Sequence, residues 1–232
     1  MDYIIPFKIE VSLINQILDI LQNGKWRTLD SKNVSNSNKK VEIPNLKKNK
    51  LYFSTLIQTR QLKNTSILLK NSIFKNIIYR DDILNVVCRN LNLSKRDIQI
   101  RKTDVFHNES HSSFSESIKH GWHVDEPHLQ LKGKKFIKLF IPLSTVSIDN
   151  GPTHIAIGSR ENLVVPLEKL AESPGKRYPE TVISNYYGDR IKLLTSSIGD
   201  MFLARTDGFH KGGFVKKGYR TIVIVEYSNN IK

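Results

Sequence analysis

A single cysteine, two methionines and two tryptophans occur among 232 residues, and acidic side chains are also scarce. One thiol, Cys88, excludes an intramolecular disulfide. Set among Val86, Val87 and Leu91, it reads as a small core residue rather than a nucleophile. No run of about 18 apolar residues offers a membrane-crossing helix. The opening MDYIIPFKIE lacks the basic start and unbroken apolar stretch of a signal peptide. The expected setting is soluble, reducing and cytoplasmic, with no membrane partner. Asp and Glu number 22 against 36 Lys and Arg, giving a formal charge of +14 and a pI near 9.8. Such an excess suits an anionic partner or substrate. The charge is dispersed, however. Its densest cluster, Lys39, Lys40, Lys47, Lys48 and Lys50, lies in an Asn- and Ser-rich stretch from Ser31 to Lys50 that reads as a solvated loop, and no nucleic-acid motif accompanies it.

Hydrophobic content of 39% and charged content of 25% are those of a folding chain. The length suits one domain, residues 1–232, in two parts. Residues 1–95 are expected to be mostly helical. Ile14, Ile17, Leu18 and Leu21 recur at helical spacing in residues 11–23, with Asn23 and Gly24 as a stop, and Trp26 and Leu29 extend the same contact. Further helices are predicted near 53–62, over Ile67–Tyr79 and over Asp81–Leu91. After Leu93 the period changes to alternation: Ile98, Ile100, Lys102, Asp104 and Phe106 share one parity. Strands are predicted at 96–107, 122–125, 135–143, 153–157, 191–195, 200–205, 208–211 and 219–227, separated by Gly, Pro and Asn turns such as Asn150-Gly151-Pro152. Residues 96–232 therefore read as a β-sandwich or jelly roll without βαβ units. Leu167–Ala171 reads as one helical turn in an excursion reaching about residue 185. That excursion and the segment Asn108–His120 flank the site described next, and either is placed to act as a lid.

The stretch from Gly121 to Arg160 contains the chemistry. In an extended chain residues two apart share a face, so His123 and Asp125 in WHVD converge on one point. A second, distant imidazole would complete a two-His-one-carboxylate face of the kind that holds Fe(II) in non-haem oxygenases. His210 is the candidate, lying before a Lys- and Gly-containing turn with Arg220 on the strand behind it. A hairpin pivoting near Val215 or Lys217 would put Arg220 on the His210 side. His128 and His154 are alternative ligands, but neither reproduces a strand residue joined to a distant hairpin.

From about Ile98 to Tyr227 the chain resembles the phytanoyl-CoA dioxygenase (PhyH)-like family of Fe(II)- and 2-oxoglutarate-dependent oxygenases. The matching pieces are Trp122–Asp125, the block FIPLSTVSIDNGPTHIAIGSR from Phe140 to Arg160, Gly199-Asp200, His210 and Arg220. The resemblance implies a double-stranded β-helix (jelly roll) core, here with an N-terminal helical layer, in a mainly β (α+β) chain. It implies His123, Asp125 and His210 as iron ligands, Arg220 on the distal carboxylate of 2-oxoglutarate, and Phe140 lining the cosubstrate pocket. Two positions depart from the family pattern. Arg160 stands where the family usually has His, and Gly212 where it often has a polar residue.

Lys138 shares parity with Phe136 and Phe140. It either faces the pocket, where an anion of the cosubstrate or substrate must meet it, or lies outward near a strand edge. Asn108 is placed to hydrogen-bond the cosubstrate from a neighbouring strand. The expected activity is hydroxylation of a small, possibly anionic, organic substrate with O2, releasing succinate and CO2, by a monomer or weak dimer. An aspartate at 125 favours this outcome over halogenation. Desaturation or ring closure at the same site, a substrate on a nucleotide or coenzyme A carrier, and a catalytically silent module binding a polyanion are the rival readings.

Overall fold

The computed structural model describes residues 4–22, 24, 26–28, 59–62, 65–110, 121–173 and 175–230. The loop expected at 31–50, Leu29, and residues 53–58 of the expected helix lie outside these, as do residues 111–120 of the possible lid.

Ten described strands form two antiparallel sheets: β1 (Ile4–Lys8), β2 (Trp26–Thr28), β3 (Thr59–Leu62), β4 (Ile98–Glu109), β5 (Phe136–Pro142), β6 (Thr153–Ala156), β7 (Ile191–Leu194), β8 (Asp200–Ala204), β9 (His210–Gly212) and β10 (Tyr219–Asn229). The large sheet runs β1-β8-β5-β10-β4-β3-β2 and the small one β7-β6-β9. Three strands thus come from the part expected to be mostly helical. Residues 59–62 are strand where a helix was predicted, and β1 extends the sheet at the far edge. Pro6 is tolerated there because an edge strand has one unpaired side.

The large sheet's two faces differ in kind. Ile137, Leu139 and Ile141 of β5, Leu203 of β8, and Val223, Val225 and Tyr227 of β10 point one way, onto α1 (Val11–Gln22), α2 (Ser66–Lys70), α3 (Ser72–Ile78) and α4 (Asp81–Leu91). The four residues read as the apolar stripe of α1 are the ones it buries. Tyr227 ties this layer to the sheet, donating its hydroxyl to the Ile78 carbonyl at 2.6 Å. The continuous helix expected over Ile67–Tyr79 breaks at Asn71, whose backbone is extended and whose side chain accepts from the Phe74 amide at 3.1 Å to start α3.

The opposite face of the large sheet looks at the small one across Phe140, Ile155, Leu194, Ala204 and Ile222. Here the single parity expected along β4 fails. The register between β4 and β10 shifts at Glu226/Tyr227, leaving Arg101 as the extra residue of a bulge. Ile98 and Ile100 consequently join the helix-side core, whereas Lys102, Asp104 and Phe106 line the cavity between the sheets. Outside the small sheet a third layer forms. The excursion from Ile157 to Arg190 carries α6 (Leu167–Glu172) and the unforeseen α7 (Glu180–Tyr187), which pack Leu170, Ile183 and Tyr187 around Trp122, Ala156 and Phe209.

Bulged Arg101 also takes part in a buried charge network. It donates to Glu226 at 2.8 Å and pairs with Glu126, and Lys134, almost wholly buried, lies 2.7 Å from Glu226 and also pairs with Glu126. Burial would raise the Glu226 carboxyl, but hydrogen bonds from Arg101 and Lys134 outweigh it and hold the group below its ordinary 4.5. A depressed folded-state value stabilises the native state above the unfolded value and loses that contribution as pH falls through the folded one. Glu226→Gln should therefore cost about 2–3 kcal/mol at pH 7, a fall in melting temperature of several degrees. The gap between variant and parent should narrow as pH drops below 4.5, which melting curves recorded between pH 7 and pH 3 would check.

Candidate metal centre

His123 and His210 meet because their backbones pair. Each amide donates to the other's carbonyl at 2.9 Å, an isolated antiparallel bridge that sets the two rings 4.2 Å apart. Residues 122–125 are not the regular strand expected. Trp122 instead pairs outward with Tyr178 of the excursion, His123 pairs inward with His210, and the Asp125 amide donates to the Thr206 carbonyl at 3.2 Å. The segment is thus clamped on both sides. Gln130, in the helical turn α5 (Pro127–Gln130), fixes the Asp125 carbonyl with a 2.7 Å bond from its side-chain amide.

The side chains converge as the WHVD spacing suggested. One ligand atom from each of His123, Asp125 and His210 lies within 4.8 Å of the others. The approach is by Nε2 in both imidazoles, at 3.8 Å from Asp125 Oδ1 for His123 and 3.2 Å from Oδ2 for His210. Three ligands at bonds near 2.1 Å and right angles stand about 3 Å apart, so an ion fits among these atoms with small adjustments. The Nδ1 of His210 donates to the Gly208 carbonyl at 3.1 Å, which leaves the Nε2 lone pair pointing into the site. Burial, followed by the neighbouring His210, pushes the His123 imidazole well below its ordinary value, so it is neutral as a ligand must be. Burial would raise Asp125, but Lys138 and then His210 and His123 outweigh it and hold the carboxylate ionised well below its usual range.

Lys138 settles its two readings by facing the cavity. It sits on β5, which is flanked by β8 and β10, and its amine bonds Asp125 Oδ2. The anion that meets it is one of the protein's own. Phe140, buried, lies two residues further along the same face.

Arg220 reaches the same cavity by another route than the one expected. The strand β9 pairs with β6 in the small sheet, whereas β10 pairs with β4 and β5 in the large one. His210 and Arg220 therefore face each other from opposite sheets rather than along one hairpin. The chain crosses between sheets where Gly151 and Gly213 pack backbone to backbone. A Cβ on Gly151, whose φ is +70°, would lie 2.5 Å from the Gly213 carbonyl oxygen. This crossing delivers the Gly151 carbonyl to the Arg220 Nη1, while Nη2 donates to Asn108 Oδ1 at 3.3 Å. Arg220 is buried, its Nε lacks a partner among the described residues, and burial brings its pKa down to about 10. It remains a cation with hydrogen-bonding capacity to spare. At Gly212 a side chain would point at Arg220, since a Cβ there comes 3.7 Å from Nη2.

Together these groups line a cavity of about 360 Å³ between the sheets, with Lys102, Asp104 and Phe106 on one wall and Arg177 on the other. Sequence reasoning missed Arg177, because only the pairing of Trp122 with Tyr178 brings it to the site. Of the alternative ligands, His128 is exposed on α5 and His154 lies edge-on to the Trp122 ring, its centroid 6.1 Å away. Arg160, at the departure from the family pattern, pairs at 2.6 Å with Asp207, which also binds Arg205. The neighbouring Ser159 hydroxyl accepts the Phe209 amide at 2.7 Å.

No protein-family model and no curated protein matches the chain. Solved structures do. The non-heme alpha ketoglutarate dependent epimerase SnoN from nogalamycin biosynthesis superposes with a TM-score of 0.60 at 11% identity, over 98% of this chain and 79% of that one. EvdO2 from Micromonospora carbonacea var. aurantiaca, complexed with 2-oxoglutarate, gives 0.59 at 11%, over 98% and 86%. HygX from Streptomyces hygroscopicus, with nickel and 2-oxoglutarate bound, gives 0.58 at 12%, over 99% and 84%. At such identities the likeness establishes the fold alone: the chain shares the jelly roll of these structures, with helices packed outside both of its sheets.

Anaerobic titration with Co(II) should show one site per chain. His210→Ala should weaken it at least ~100-fold, since one of three ligands is gone, whereas His128→Ala and His154→Ala should leave it unchanged. Absorbance of the bound ion reports the affinity.

Proposed function

We propose that the chain is an Fe(II)- and 2-oxoglutarate-dependent oxygenase that hydroxylates a small organic substrate. The observation that carries this reading is the joint presence, in one cavity, of the His123, Asp125 and His210 cluster and a buried arginine without a carboxylate partner among the described residues. A structural arginine buried so deeply would normally be paired within the protein. Arg220 instead keeps its charge where a ligand's carboxylate would enter.

Ferrous iron and 2-oxoglutarate, when bound, would supply oxidation of a C–H bond by dioxygen coupled to formation of succinate and CO2. The protein's part is binding and orientation. His123, Asp125 and His210 would hold the ion through two imidazole nitrogens and one carboxylate oxygen, at the place in the cavity where they converge. Lys138 holds one Asp125 oxygen by a charged hydrogen bond, which fixes the carboxylate's rotation. Arg220, held by the Gly151 carbonyl and Asn108, would take the distal carboxylate of the 2-oxo acid. Phe140 and Ile222 would supply an apolar wall for the methylenes of that acid. Asp125 supplies a third protein ligand, which leaves no protein-vacated position for a halide and favours hydroxylation.

Two measurements test the reading. Succinate formation from 2-oxoglutarate should require Fe(II) and O2 and fall at least ~100-fold in His123→Ala. Arg220→Lys keeps the charge but loses the planar fork, so the KM for 2-oxoglutarate should rise roughly 10- to 100-fold, about 1.4–2.8 kcal/mol. Absence of succinate, together with salt-sensitive polyanion binding that survives His123→Ala, would instead make the domain a binding module.

A further inference from the structure

The cavity has more positive charge than the proposed reaction uses. Four cations line it, Lys102, Lys138, Arg177 and Arg220, against two carboxylates, Asp104 and Asp125. Lys102 pairs with Asp104 at 2.9 Å and Lys138 pairs with Asp125. A divalent metal and a dianionic 2-oxo acid cancel each other, so loading the site leaves the same excess of two positive charges. Arg220 is assigned to the cosubstrate. Arg177 is left over.

Arg177 is not an ordinary surface arginine. The Trp122 and Tyr178 backbones exchange bonds of 3.0 and 2.8 Å in antiparallel register, which puts residue 177 directly across from His123. A pair next to a doubly bonded one has its side chains closest together. The guanidinium accordingly lies against His123 Nδ1 and 3.4 Å from the Gly121 carbonyl. Its backbone is held by the packing of Tyr178 edge-on to Phe209, with centroids 5.5 Å apart, and of Trp122 donating to Glu180 at 2.7 Å. Among the described residues no carboxylate lies within ion-pair distance of Arg177. Asp125 is the one anion acting on it, from further off. Half-burying a cation without a carboxylate beside it costs free energy that an incoming anion recovers.

We propose that Arg177 anchors an acidic group of the primary substrate, a carboxylate or a phosphate, beside the metal position. The proposal rests on the oxygenase reading and adds the substrate class: a small acid, held through its charge by the excursion between β6 and β7, with its reacting carbon beside the His123, Asp125 and His210 cluster. A guanidinium suits both acids, because its donors match two oxygens at once.

Mn(II)-loaded protein saturated with 2-oxoglutarate supplies the test. Inorganic phosphate, read by 31P relaxation, and acetate, read by methyl 1H relaxation, serve as probes of an anion site near the paramagnetic ion. At least one should relax faster in the parent, and the stronger of the two tells phosphate from carboxylate. Arg177→Gln should reduce that enhancement fivefold or more while the dissociation constants of Mn(II) and 2-oxoglutarate stay within about twofold, and Arg177→Lys should restore part of it. The proposal is overturned if neither probe is relaxed by the parent, or if the effect persists in Arg177→Gln. It is equally overturned if that change weakens 2-oxoglutarate, which would make Arg177 a cosubstrate contact, or Mn(II), which would make it a positioning residue for His123. Failure of the parent to bind Mn(II) at all removes the oxygenase reading itself and this proposal with it.

Discussion

Two backbone hydrogen bonds between His123 and His210 set the geometry of the site. Neither residue belongs to a long strand, and the two come from segments far apart in the chain, yet the bridge makes them nearest neighbours with their rings turned to one side. Such positioning is stiffer than anything side-chain packing alone provides, because a shift of one residue in register would turn an imidazole to the opposite face. Around the bridge the contacts are graded outward. Asp125 is held through the Thr206 carbonyl and Gln130, and Trp122 through Tyr178 on the other flank. The three ligand atoms can converge before any ion is present, which keeps the cost of assembling a metal site out of the binding step.

The second constraint is electrical. One face of the large sheet is apolar and packed on helices, whereas the other carries a row of charges that ordinary burial would forbid. Most are neutralised within the protein: Glu226 with Arg101 and Lys134, Lys138 with Asp125, and Lys102 with Asp104. Local neutralisation lets so basic a chain keep an interior cavity. It also isolates the exceptions. Arg220 and Arg177 are the cavity cations without a described carboxylate beside them, one deep between the sheets and one at the wall built by the excursion. Buried charge left unpaired is expensive, so these two positions are where a functional explanation is most needed.

Much of this was legible before any coordinates. The apolar spacing of Ile14, Ile17, Leu18 and Leu21 showed the buried stripe of α1, and the change of period after Leu93 marked where β4 begins. HxD pointed to two members of the cluster that His123, Asp125 and His210 form, because short-range geometry needs no tertiary information. What escaped the sequence depended on pairing between distant segments. The bulge at Arg101 flips the faces of β4 midway, and no local signal marks it. Residues 59–62 are strand because β4 offers them a partner, and β1 forms along β8 for the same reason. Arg220 was placed near His210 by a hairpin that does not exist; the glycine crossing at Gly151 and Gly213 brings the two together from separate sheets.

The division of labour in the cavity follows from this architecture. The sheets supply the ligand set and Arg220, which depend on register and cannot drift without loss of the core. The excursion between β6 and β7 has its own small core around Trp122 and Phe209, and so can change in length and sequence while that cluster stays packed. A fold of this kind carries many reactions, and the element that orients the reacting carbon decides among them. In the proposed reaction that element would be the excursion, which meets the cavity through Arg177, a charge next to the clamped Tyr178 backbone rather than an apolar surface. Selection by charge tolerates variation in the rest of the substrate, provided an acidic group sits at a fixed distance from the carbon to be oxidised. A shared acid handle, more than overall shape, is therefore the property by which this site would tell its substrates from other molecules.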